Sequence, residues 1–337
     1  MPKRILVTGG AGFIGSHFVD HLLKTYPDYE VVVLDALTYA GRMENLADAQ
    51  QSPRFQFLKG DVRDREAVRQ AMQGAHWVVH FAAETHVDRS ILNPDAFITT
   101  DVYGTYVMLE VAREIGIERF VHVSTDEVYG SAEAGEFHEE SPLRPNSPYS
   151  ASKAGADLLV RAYHQTYQLP VLTVRPSNTF GPRQYPEKLI PFFITRALSD
   201  QSLPVYGDGQ QVRDWLYVKD HVRAIDLVLH HGRIGQAYNI AGGNERTNME
   251  ITRKILQRLG KPETLIQFVP DRPGHDRRYA LDTTRIQQEL GWRPEADFDH
   301  ALAETVQWYL DNPTWWQTIL NEQAEYREFV ARWYQRG

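Results

Sequence analysis

The chain has 337 residues, 42% of them hydrophobic and 24% charged, which is enough for a large core in one or two domains. Its formal charge is -8, with Lys and Arg scattered along the chain, which excludes a basic nucleic-acid stripe. It has no cysteine, no apolar signal-like region at its start and no run of about 18 apolar residues, so disulfides, thiolate metal sites and a membrane span are excluded and a soluble cytoplasmic protein is expected.

Apolar, β-rich runs at residues 5–8, 31–35, 55–60, 77–81 and 120–124 read as buried strands. Helical stretches at 13–26, 65–73, 95–115 and 149–168 alternate with them, and 171–175 reads as a sixth strand. Such alternation predicts an α/β fold, a doubly wound parallel sheet covered on both faces. Past Pro176 the pattern turns irregular, with short strands at 204–206 and 237–240 and a Pro-containing loop at 270–276. The expectation is a first domain over 1–176 and a smaller α/β lobe over 177–337, from which some segments return to the first domain. The crevice between them is the expected site. From residue 314 the chain is rich in Trp, Gln and Glu and reads as helix. There is no internal repeat.

Thr8-Gly9-Gly10-Ala11-Gly12-Phe13-Ile14-Gly15 follows the first strand and opens the first helix, with Gly9, Gly12 and Gly15 spaced G-x-x-G-x-x-G. Glycines permit the tight turn and let backbone N–H groups approach a pyrophosphate at a helix N-terminus. Alone, the motif could be a plain turn. Here a second strand ends in Asp35, twenty residues past Gly15, where an acid binds ribose hydroxyls in a Rossmann-type domain. The carboxylate would repel a 2′-phosphate, so NAD is expected rather than NADP. Asp61, after the third strand, could accept from the adenine amine, or simply cap a helix.

Tyr149 and Lys153 stand four residues apart, on one face of a helix. A free phenol has a pKa near 10, and lowering it by ~3 units takes about 4 kcal/mol, which a close ammonium and a nicotinamide cation are expected to supply. The phenolate would then take a hydroxyl proton as hydride leaves the same carbon. Ser124-Thr125-Asp126-Glu127-Val128-Tyr129-Gly130 ends the fifth strand, where open α/β sheets bind ligands. Adjacent carboxyls there can be a solvated acidic turn. They can also serve as an acid and a base, one removing a proton α to a new carbonyl and the other protonating a departing hydroxyl.

At these residues the sequence resembles the extended short-chain dehydrogenase/reductase family, and within it the dTDP-glucose 4,6-dehydratases. The resemblance runs to about residue 310. It is carried by 35–41, by 82–90 (Ala-Ala-Glu-Thr-His-Val-Asp-Arg-Ser), by 124–130, by 186–191, by Arg213-Asp214-Trp215 and by 272–279. It implies that Tyr149 is the base for the C4 hydroxyl, with Lys153 tuning it and binding the nicotinamide ribose. It further implies that Thr125 donates to the C4 oxygen, Glu127 takes the C5 proton and Asp126 protonates the departing C6 hydroxyl. Phe13, Ile14, Leu37, Thr38, Asp61, Val62, Ala82, Ala83 and Thr100 match cofactor positions. His86, Asn178, Lys188, Leu189, Tyr206, Arg213, Asn248, Arg272 and His275 match positions for a nucleotide-diphosphate sugar. A homodimer through helices 95–115 and 149–168 is also implied. Where the family commonly reads Asn-Asn-Tyr-Gly-Pro, this chain has Asn178-Thr179-Phe180-Gly181-Pro182, and Arg183 and Tyr185 also depart from the usual residues. Those departures put one cofactor contact in doubt and bear on nucleotide preference rather than on the chemistry.

Two other readings compete. A nucleotide-sugar 4-epimerase needs Tyr149 and Lys153 but no acid and base for C5 and C6. A non-enzymatic NAD-binding protein has no reason to keep Asp126, Glu127, Tyr149 and Lys153 together. Thymine and uracil nucleotides are not separated by the residues themselves, although the resemblance favours dTDP-glucose.

Overall fold

Val31-Val32-Val33-Leu34 leaves no polar face for water, and the strand it forms is covered on both sides, each residue at most 1% exposed. The computed structural model describes residues 3–334, except the side chain of Tyr334; residues 1, 2 and 335–337 of the two expected domains lie outside it. The main sheet contains β1 (Arg4–Thr8), β2 (Glu30–Asp35), β3 (Phe55–Lys59), β4 (Trp77–His80), β5 (Arg119–Val123) and β6 (Val171–Pro176). After β7 (Asn178–Phe180), β8 (Leu203–Tyr206) and β9 (Val212–Tyr217) it is completed by β10 (Ala237–Ile240). All seven strands pair in parallel, in the order β10-β6-β5-β4-β1-β2-β3. The order reverses at β1, which opens a crevice beyond the C-terminal ends of β1 and β4.

Side chains alternate across the strands. Ile5, Val7, Val31 and Val33 enter the core on one face, with Phe18 and Leu22 of helix Phe13–Thr25. Leu6, Val32 and Leu34 enter the other, with residues of helices Arg65–Met72, Thr105–Ile115 and Pro148–Tyr167. A second lobe is built from β9 flanked by β7 and β11 (Glu245–Thr247), from the parallel pair β8 and β12 (Ile266–Val269), and from helices Leu189–Leu198 and Asn248–Leu259. The chain end is helical as expected, over Pro313–Glu322 and Ala324–Tyr334.

Three expectations change. Residues 237–240 were assigned to the smaller lobe, but β10 pairs with β6, Ala237 opposite Thr173 and Ile240 opposite Pro176. A four-residue strand needs a partner, and the open edge of β6 offers one after the crossover helix Val218–His231. β3 is a half-buried edge strand rather than a buried one. The helix expected over 95–115 is α-helical at Pro94–Phe97 and Thr105–Ile115 but π-helical over Ile98–Gly104, a wider turn common at functional sites. Among the described residues no helix is long and apolar enough to cross a membrane.

One buried ion pair ties helix Pro148–Tyr167 to β6. Arg175 Nε lies 2.8 Å from Asp157 Oδ2 and Nη2 lies 3.0 Å from Oδ1, while Nη1 donates to the Tyr129 hydroxyl at 2.7 Å and the Glu139 carbonyl at 2.9 Å. Asp157→Ala leaves a buried guanidinium without its counter-charge, so chemical denaturation should show a loss of about 3–5 kcal/mol.

Candidate active site

The crevice at the strand reversal is a cavity of about 430 Å³ that runs from the glycine turn after β1 to the second lobe. The turn is glycine-rich for steric reasons. Gly9 has φ +68°, and a Cβ there would sit 2.7 Å from the backbone nitrogen of Ala82. A Cβ on Gly15 would meet the Gly9 carbonyl oxygen at 2.3 Å. The backbone at the start of helix Phe13–Thr25 is therefore open to the cavity, as a pyrophosphate requires. Asp35 ends β2 with its carboxylate held by the N–H groups of Ala11 (2.9 Å) and Leu37 (2.8 Å). Asp61 also faces this end, paired with Arg63 at 2.6 Å. These residues fit NAD: no side chain blocks the turn, and an acid stands at the ribose position.

Ser147 caps the start of helix Pro148–Tyr167. Its side chain accepts from the Ser150 N–H, and Ser150 reciprocates in a capping box, with Pro148 at the first turn. That cap places Tyr149 and Lys153 in the opening turns, both lining the cavity. Lys153 is 4% exposed and donates to the Val123 carbonyl at 2.7 Å. Burial lowers its pKa, and Asp101 and Asp157 oppose the shift. Burial, then the charges of Glu127, Asp101 and Asp126, push Tyr149 well above the usual phenol value. Within the protein alone burial and these acids oppose ionisation of the phenol, so the lowering expected from a nicotinamide cation would have to act against them.

Thr125 extends β5 and caps the short turn Asp126–Tyr129, accepting from the Glu127 N–H at 3.3 Å and donating to Asp126 Oδ1 at 3.1 Å. Asp126 is 3% exposed. Burial, then the charge of Glu127, holds its carboxyl well above the usual range. Glu127 is raised by burial too, but Arg272, Lys188 and Arg213 pull it back. Both carboxyls are therefore raised, Asp126 well above the usual range and Glu127 against the opposing charge of three cations, so the two sites differ in how strongly they hold a proton.

The far end of the cavity is cationic. Lys188, before helix Leu189–Leu198, donates to Thr85 Oγ1 at 3.0 Å. Arg272 pairs with Asp88 at 3.0 Å, and Asp88, 1% exposed, also accepts from the Tyr206 hydroxyl at 2.8 Å. Arg213 donates to the Asp276 carbonyl at 2.9 Å and stacks over Tyr279. His86 donates from Nε2 to the Glu187 carbonyl at 2.9 Å. Phe13, Ile14, Thr38, Val62, Ala82, Ala83, Thr100, Asn178, Leu189, Asn248 and His275 line the same cavity. Leu37 does not; its side chain packs on the core and its backbone, at φ +53°, serves Asp35.

Several groups were not foreseen. Asp101 accepts from Ser152 Oγ (2.6 Å) and from the Glu84 N–H (2.7 Å), and burial raises it to about 6. Asp88 lies within residues 82–90 and Asp276 and Tyr279 within 272–279, segments that carry the resemblance but whose acids had no role assigned; Asp276 and Tyr279 are bonded at 2.8 Å. Thr179, the departure from the common pattern, bonds His221 Nδ1 at 2.9 Å. Arg183 lies off the cavity and pairs with Asp20 at 2.9 Å. Tyr185 lines the cavity and donates to Gln323 at 2.6 Å.

The family model for GDP-mannose 4,6 dehydratase matches residues 6–305. A dTDP-glucose 4,6-dehydratase of Actinoplanes sp. is 52% identical over 93% of this chain and 99% of its own. The crystal structure of a dTDP-glucose 4,6-dehydratase from Streptomyces venezuelae, with NAD and dTDP bound, superposes with a TM-score of 0.92 at 53% identity, covering 94% of this chain and 99% of that one. A UDP-glucose 4-epimerase from Thermus thermophilus, solved with NAD, shares the fold at a TM-score of 0.84 but is 34% identical, over 92% of this chain and 99% of that one.

Proposed function

Because the chain belongs to the GDP-mannose 4,6-dehydratase family, and is an NAD-dependent hydro-lyase of nucleotide sugars, we propose that it converts dTDP-glucose to dTDP-4-keto-6-deoxyglucose, with Tyr149, Lys153, Thr125, Asp126 and Glu127 as its reacting groups. The observation that carries this reading is the pair of adjacent carboxyls facing the same cavity as Tyr149 and Lys153, Asp126 raised well above its usual range and Glu127 raised against three opposing cations. A 4-epimerase has no step for them.

The steps follow from position. NAD held at the glycine turn and Asp35 would supply a reversible hydride acceptor, which oxidation at C4 and reduction at C6 require. Tyr149 removes the C4 hydroxyl proton while Thr125 steadies the C4 oxygen. Oxidation at C4 acidifies the C5 hydrogen, which Glu127 removes. Asp126 protonates the C6 hydroxyl, which leaves as water. Glu127 returns its proton to C5, and the proton held on Tyr149 balances the one lost by Asp126, so the sugar loses one water and nothing is oxidised overall. Lys188, Arg213 and Arg272 supply the positive charge and directed N–H groups that suit a diphosphate. In this reading residues 1–176 hold the cofactor and 177–337 mainly the sugar nucleotide, with helix Val218–His231 and β10 serving the first domain.

Incubated with dTDP-glucose, the protein should produce the strong alkaline absorbance of a 4-keto sugar, and more slowly or not at all with UDP-glucose. Formation of the C4 epimer instead would defeat the proposal. The protein works as a cytoplasmic homodimer in this reading. Ile98, Tyr103, Leu158 and Tyr167 are each about half exposed along helices 94–115 and 148–167, an apolar face suited to a second copy. Light scattering should give twice the chain mass, and Leu158→Glu should halve it.

A further inference from the structure

His275 lines the cavity, edge-to-face with Tyr206 at 5.9 Å between ring centroids. Its Nδ1 lies 2.6 Å from Asp271 Oδ1. Asp271 is itself held in place: the Arg272 N–H donates to the same oxygen at 2.9 Å, and Gln211 Nε2 donates to the other at 3.1 Å. An ionised carboxylate only accepts hydrogen bonds, so the proton of this contact belongs to Nδ1. A neutral imidazole carries one ring proton, and its second nitrogen is then a lone pair. Among the described residues no group bonds Nε2.

We propose that Asp271 is a positioning residue for nucleotide recognition: it locks His275 as the Nδ1–H tautomer and so presents Nε2 to the cavity as a hydrogen-bond acceptor. The inference rests on the nucleotide-sugar reading above and deepens it. Electrostatics agree with it. Burial and the guanidinium groups of Arg272 and Arg213 lower the imidazole to about 4 against the pull of Asp271, so the ring is neutral at physiological pH. The pair also lowers the Asp271 carboxyl, which stays ionised.

An acceptor at this position selects a ligand that offers a donor there. The thymidine part of a thymidine diphosphate sugar has two: the imide N3–H of the base and the ribose 3′-hydroxyl. A free imidazole in water has no carboxylate to hold its proton on Nδ1, so Asp271→Ala releases the lock and opposes the ligand's donor with an N–H part of the time. Asp271→Asn keeps a carbonyl oxygen that accepts from both His275 Nδ1 and the Arg272 N–H, and Gln211 can turn its own amide to match.

The test uses the NAD-loaded protein. In ¹⁵N NMR with labelled histidine, the His275 signals, assigned by their absence in His275→Gln, should show a protonated Nδ1 and an unprotonated Nε2. Asp271→Ala should mix the tautomers and raise KM for dTDP-glucose about tenfold, the loss falling on KM rather than kcat, and Asp271→Asn should bring KM back to within about twofold of the parent. Binding of dTDP, its 3′-deoxy analogue and its N3-methyl analogue then identifies the donor, because the analogue that lacks it should bind the parent and Asp271→Ala equally. A protonated Nε2 in the parent protein, or an unchanged KM in Asp271→Ala, overturns the inference. Should dTDP-glucose yield no 4-keto sugar at all, the functional reading fails, while the ring-nitrogen spectra still decide the tautomer.

Discussion

Asp126→Asn combined with Glu127→Gln is expected to bind NAD as the parent does and to lose water elimination, with the rate of 4-keto-6-deoxy sugar formation down at least 10³-fold, in keeping with the ~10²–10⁴-fold that each positioned acid or base contributes. Both changes preserve side-chain shape, and neither residue belongs to the glycine turn or the Asp35 end of the cavity. Parent-like product formation in the double variant would remove the assigned roles. The parent should also show a bell-shaped pH dependence. Asp126 works protonated and its carboxyl is raised well above the usual range, so activity falls as pH rises through its pKa. Glu127 works ionised, so activity falls again as pH drops through its own, also raised, value. The two limbs belong to the coupled pair and not to either residue alone. Asp126→Asn should erase the alkaline limb in whatever rate remains.

Tyr149→Phe is expected to stop the reaction one step earlier. The ring stays packed against Phe97 at 6.2 Å, so the fold should be untouched while the C4 hydroxyl loses its base. Turnover should fall about 10²–10⁴-fold, and no reduced-nicotinamide absorbance near 340 nm should form on mixing with dTDP-glucose. The carboxyl variant is distinguished by retaining that absorbance, because oxidation at C4 precedes the step it lacks. If Tyr149→Phe still reduces the cofactor, the base lies elsewhere. Burial, then neighbouring acids, oppose ionisation of the phenol, so the positive charge of bound NAD is expected to favour it. Titrations of the phenol with and without NAD should differ accordingly.

What the sequence revealed was local in origin. The glycine spacing, the acid twenty residues further on and the four-residue step from Tyr149 to Lys153 each follow from the geometry of one turn, one strand end or one helix face. Asp126 and Glu127 stood out because they end a strand in a sheet whose strand ends bind ligands. Groups that depend on distant segments were harder to see. Arg213, Arg272 and Lys188 belong to separate loops and could each have been a surface charge; the family resemblance, not their spacing, brought them forward. Asp88 and Asp276 escaped notice because an aspartate next to a loop reads the same whether it faces water or a buried arginine.

By itself, then, the sequence determined the α/β alternation and the glycine turn, and it singled out the side chains proposed to react, since these are written in periods of a few residues. Only the tertiary structure decided that residues 237–240 complete the main sheet, that the helix at 95–115 widens into a π turn around Asp101, and that three cations oppose the effect of burial at Glu127. The reason is physical. Edge pairing, burial and charge compensation depend on which remote segments pack together, and that choice belongs to the whole chain rather than to any stretch of it.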